Sequence, residues 1–150
     1  MAQRTERTVL NHLIETCRDG ERGFLSAAAH VESAKLKALF EQMARQRARI
    51  ADDLVPHAQR LGGNPAAEGT AGAVVHRGWI DIKSRLRRHD DNAIVVEVER
   101  GDGITLHAFQ DALEGMLPPD SLAVVERLYA ELRQAHAVIA AIDRVRHAGA

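Results

Sequence analysis

Two segments of the chain put carboxylates and glycines where a long helix should be apolar: RDGERGF at 18–24 and VEVERGDG at 96–103. A glycine inside a helix costs ~1 kcal/mol relative to alanine, and a carboxylate on a buried face costs more unless it finds a partner. Glu21 lies midway between Ile14 and Ala28 on a heptad row, and Asp102 midway between Val95 and Phe109. Glu99 shares a row with Leu106 and Leu113, Arg47 one with Phe40 and Leu54, and His136 one with Leu122 and Tyr129. Each long helical segment therefore offers a polar group to one central layer.

Carboxylates and imidazoles projecting into a four-helix bundle can hold two metal ions. Such a site takes a Glu from each of two helices and a Glu-x-x-His from each of the other two, because residues i and i+3 share a face. Glu21 and Glu99 meet the first demand, but no Glu-x-x-His occurs anywhere; Gln46 and Arg49, then Arg133 and His136, stand in its place. Two readings follow. In one, Glu21, Glu99, Asp102 and His136 form an irregular mono- or dinuclear site for iron or another divalent metal, serving an oxidase or a metal store. In the other, which is favoured, Arg47 pairs with Glu21 and one of the acids at 99 and 102 in a polar core of Glu21, Arg47, Glu99, Asp102 and His136. A fixed guanidinium opposes a cation there, and a buried charge network can fix helix register. No cofactor and no catalytic residue are then expected. Gly20, Gly23, Gly101 and Gly103 would let a backbone or the long arginine come close.

Other chemistry is sparse. There is no GxSxG, no P-loop and no dinucleotide glycine pattern. Cys17 is the single cysteine and falls on the apolar row of Leu10, Phe24 and Val31, which predicts a buried, inert thiol. His12, His30, His76, His89, His107 and His147 are scattered, while His57 falls on an inner row with Met43 and Ile50. The basic run Arg85-Leu86-Arg87-Arg88-His89 could touch phosphate, and a helix end compensated by Asp90 and Asp91 explains it equally well.

The elements that must position the polar layer follow from spacing. Apolar residues recur at three and four over 6–31, with Thr5 as cap, and again over 33–61, ending at Gly62-Gly63, where Pro56 should kink or shorten the helix. LGGNPAAEGTAG at 61–72 is long enough to cross over the length of a bundle, and a shorter helix is expected over 74–88. Asp90-Asp91 reads as the turn and cap for a helix over 92–116, and Pro118-Pro119-Asp120 opens a last one running to 146. The expected architecture is an all-α four-helix bundle with a long crossover and one extra short helix, a single domain over 1–150 with its core at 6–146.

The chain has 150 residues, 20 basic and 21 acidic side chains mixed along it, and 3% aromatics. That suits helix packing and lacks the one-sided charge of a nucleic-acid or membrane-surface binder. No apolar run has the length of a membrane span, so a soluble cytoplasmic protein is expected, acting as a homo-oligomer or with a protein partner.

LIETCRDGERGF at 13–24, FEQMARQRARIADDL at 40–54, HRGWIDIKSRL at 76–86, VEVERGDG at 96–103 and ERLYAELRQAHAVI at 126–139 together resemble an uncharacterised bacterial family. It is a domain of unknown function within the ferritin-like superfamily. HRGW and the ERG-D segment are the most specific pieces. The resemblance implies a ferritin-like fold and an association with bacterial stress responses, and it brings no activity, substrate or catalytic residue. Where a metal-binding relative would spell Glu-Cys-Glu and a further acid, this chain has Val96-Glu97-Val98 and Gly103.

Overall fold

The computed structural model describes residues 2–62 and 90–148, with side chains from Glu6 onward. These residues form four α-helices and no strand: α1 (Ala2–His30), α2 (Ala34–Arg60), α3 (Asp91–Glu114) and α4 (Pro119–Ala148). The expected crossover glycines, the short helix at 74–88 with its HRGW segment, and the basic run at 85–89 lie outside the described residues.

Local chemistry sets the helix ends. Ser33 caps α2, its hydroxyl accepting from Leu36 N at 3.2 Å, and Asp90 caps α3, its carboxylate accepting from Ala93 N at 3.2 Å. After α2 the chain turns at Gly62 with φ of 79°, a conformation glycine adopts without a Cβ penalty, and Gly62 N donates to Gln59 O at 3.0 Å. α4 opens on Pro119, whose missing N–H is no loss in a first turn. Two sequence expectations are corrected here. α1 starts at Ala2, so Thr5 lies within it instead of capping it. α2 runs past Pro56 to Arg60 without being shortened; the proline removes one backbone donor, and buried Leu54 and Ala58 on either side hold that turn against the core.

α1 and α2 form one antiparallel hairpin and α3 and α4 another, with α1 also against α3 and α2 lightly against α4. α2 and α3 therefore face each other across a diagonal. The carboxylate of Asp91 accepts from Glu32 N at 2.8 Å and from Ser33 N at 2.9 Å, which places the start of α3 at the α1–α2 turn, the end of the bundle away from Arg60. Taken in chain order the helices run up, down, down, up.

Among the described residues the interior is two apolar clusters, not one. The upper holds Phe24, Leu36, Phe40, Met43, Ile94, Val95, Val98 and Ile139. The lower holds Leu10, Leu13, Ile14, Cys17, Ile50, Leu54, Phe109, Val125, Leu128 and Leu132. Between them each helix skips an apolar position at the same height: α1 at Gly20, α2 at Arg47, α3 at Asp102 and Thr105, α4 at His136.

Candidate functional site: a buried arginine–aspartate–histidine layer

Arg47 enters this layer from α2 and is the largest fully buried side chain of the described residues, at 0% exposure. Its stem passes Gly20 of α1, and its guanidinium lies over the Phe24 ring at 5.1 Å from the centroid, a cation–π contact. Reaching across the bundle diagonal, it donates from Nη2 to Asp102 Oδ1 at 2.6 Å and from Nε to the same oxygen at 3.2 Å. Its Nη1 donates to Gln46 Oε1 on its own helix. An arginine is long enough to reach from one helix to the other across that diagonal.

Asp102 is also 0% exposed. Its second oxygen, Oδ2, lies 3.0 Å from His136 Nδ1 on α4, and His136 is 21% exposed. An ionised carboxylate only accepts, so Nδ1 carries the proton. Burial by itself raises the Asp102 carboxyl pKa, but the Arg47 charge and the hydrogen bonds from His136 and Arg47 outweigh it and hold the group below the ordinary aspartate value. Three helices are thus tied through one carboxylate. Thr105 Oγ1, buried beside Gly20, has no hydrogen-bond partner among the described residues. Just below, burial pushes the Cys17 thiol up to about 12 despite the nearby Arg47 charge.

The structure brings Arg47, Asp102 and His136 together and leaves Glu21 and Glu99 outside. Glu21 is partly exposed on α1 and makes no hydrogen bond to Arg47; the guanidinium is already committed to Asp102 and Gln46. Glu99 is partly exposed on α3 beside Asp143 of α4; hydrogen bonding between the two carboxyl groups, then desolvation, then the Asp143 charge raise its pKa above the ordinary glutamate value. Asp143 in turn lies 2.7 Å from His147 Nδ1. Arg49, one of the two residues in a Glu-x-x-His place on α2, is on the surface, donating to Glu131 at 2.5 Å and Asp53 at 3.2 Å.

Among the described residues no group of three or more His, Cys, Asp or Glu side chains is placed to hold a metal ion. The donor set does not fit one: the two candidates in the layer, Asp102 and His136, bond each other, and their neighbour Arg47 brings a guanidinium. The glycines need a correction as well. A Cβ on Gly20 would meet Arg47 Cγ at 3.6 Å and Thr105 Oγ1 at 3.8 Å, ordinary contact, and one on Gly103 would meet nothing within 4 Å, so neither is required for close approach.

Three partners were missed from sequence. Asp143 lies one heptad beyond His136 and could have been read as sharing its row. Phe24 looked like plain core, with no sign that its ring face would meet a cation. Thr105 follows Asp102 by three residues and so shares its face, but a single threonine on an apolar stripe is no signal.

No curated protein matches the chain. No helix of the described residues is long and apolar enough to cross a membrane. Residues 5–115, which span α1 to α3 with Arg47 and Asp102 but not His136, match the family described as Domain of unknown function (DUF2383), and the chain belongs to that family.

Proposed function

We propose that the chain is a ferritin-like bundle with a non-enzymatic role, a scaffold that self-associates or holds a protein partner, in which a charged layer replaces a di-iron centre. The ferritin-like reading is supported by the up, down, down, up order of the helices, which calls for one long crossover. The stress association implied by the sequence resemblance belongs to the same reading. The observation that carries it is the position of Arg47. Its guanidinium sits 2.6 Å from the one fully buried carboxylate of the layer, where a metal would need that oxygen's lone pairs.

Elemental analysis of protein purified without chelator tests this reading. The expected result is iron, manganese and zinc far below one per chain, unchanged in an Asp102→Asn, Glu99→Gln variant. Stoichiometric metal that the double variant loses would overturn it in favour of a metal store or oxidase.

A further inference from the structure

Three of the chain's sulfur atoms belong to described residues, those of Cys17, Met43 and Met116, and their surroundings differ sharply. Cys17 is fully buried in the lower apolar cluster, and with a thiol pKa of about 12 only on the order of one molecule in 10⁵ carries the thiolate at pH 7. Met43 is buried in the upper cluster. Met116 is 99% exposed. It stands in the turn between α3 and α4, after Gly115, and the next residue, Leu117, packs against the lower cluster and anchors that turn. Methionine is ordinarily a gap-filling core residue, so a fully solvated one has no packing role to account for it.

We propose that Met116 is an oxidation site, the sulfur among the described residues that takes the oxygen when two-electron oxidants such as hydrogen peroxide reach the folded protein. The sulfur lone pair attacks one peroxide oxygen and the O–O bond breaks. An S–O bond forms, the departing hydroxide takes up the proton released from the new S–OH, and water leaves. The thioether is oxidised by two electrons to the sulfoxide and the peroxide is reduced by two. The new polar group lies outside both apolar clusters, so the fold accommodates it, and its exposure leaves it open to enzymatic re-reduction. Cys17 and Met43 react only when the bundle opens.

The test is hydrogen peroxide treatment of the full chain, followed by peptide mass mapping over time. A core group reacts only through opening, and every ~1.4 kcal/mol of opening free energy slows it tenfold. The expected result is that the Met116 peptide gains one oxygen more than about tenfold faster than the peptides carrying Met43 and Cys17. In denaturant Met43 and Met116 should react at matching rates. Met116→Leu, at a solvated position where folding is not at risk, should lose that gain. Oxygen on Met43 or Cys17 as early as on Met116 in the native protein would overturn the proposal, as would a Met116 that stays unmodified while free methionine in the same tube is consumed.

Discussion

Without the Arg47 guanidinium, the Asp102 carboxylate would face His136 alone at 0% exposure. Removing one partner of a buried ion pair costs roughly 3–5 kcal/mol, because the remaining charge is left uncompensated, whereas replacing both with apolar groups of similar volume is often neutral or stabilising. Arg47→Ala should therefore lower unfolding stability in urea by about that amount, and Arg47→Met with Asp102→Leu should recover most of it. Gly20 carries a second residue-scale expectation. A methyl group there meets its neighbours at ordinary contact distance, so Gly20→Ala should stabilise by about 0.5–1 kcal/mol through helix propensity alone. Destabilisation in the same urea titration would mean that the space beside Arg47 is needed. Both Arg47 and Asp102 were legible in the sequence as charges between apolar residues one heptad away, but the same spacing marked Glu21, which is partly exposed. What stayed hidden was the choice of partner. Sequence rows place Glu21, Glu99 and Asp102 at one height, but they do not tell which carboxylate an arginine on the diagonal helix reaches.

Between helices, the α3–α4 seam carries a different kind of contact. Glu99 and Asp143 share a hydrogen bond that needs a proton, and that bond, with burial and the neighbouring charge, raises the Glu99 pKa. A carboxyl group bound more tightly to its proton in the folded state adds stability below its unfolded value, and that contribution is lost as pH rises through the folded value. At neutral pH the pair therefore works against the seam. Glu99→Gln, which keeps a donor for Asp143, should raise stability at pH 7 by a few tenths of a kcal/mol, the size expected of a screened, partly exposed pair. The gain should vanish below about pH 4, where the wild-type carboxyl is protonated in both states; urea midpoints at the two pH values read it directly. A gain of equal size at both would show that the pair's charge is irrelevant. The helix boundaries were largely written in the sequence through Ser33, Asp90, Gly62 and Pro119, whose effects are local. Asp91 was read as part of the α3 cap, yet its carboxylate serves the α1–α2 turn. That contact joins residues 59 and 58 positions apart, and adjacency in sequence points the other way.

Across the whole molecule, a polar layer divides an apolar interior into two clusters, and every helix contributes its break at the same height. Apolar packing alone is tolerant of small shifts between helices, since leucines and valines can find new neighbours at similar cost. One carboxylate that bonds α2 and α4 at once has a single good position. The layer thus has the means to fix how far each helix slides past the next. The all-helical bundle was legible from periodicity because four long segments repeat at three and four. The division of its core was legible only as scattered exceptions, whose meeting depends on tertiary geometry. The most direct measurement is an amide proton–nitrogen NMR spectrum of the Arg47→Met, Asp102→Leu variant beside the wild type. A register-fixing layer predicts a variant that stays helical and compact but shows broadened or doubled peaks along α3 and α4. A single sharp set of peaks, as well dispersed as in the wild type, would contradict that role for the layer.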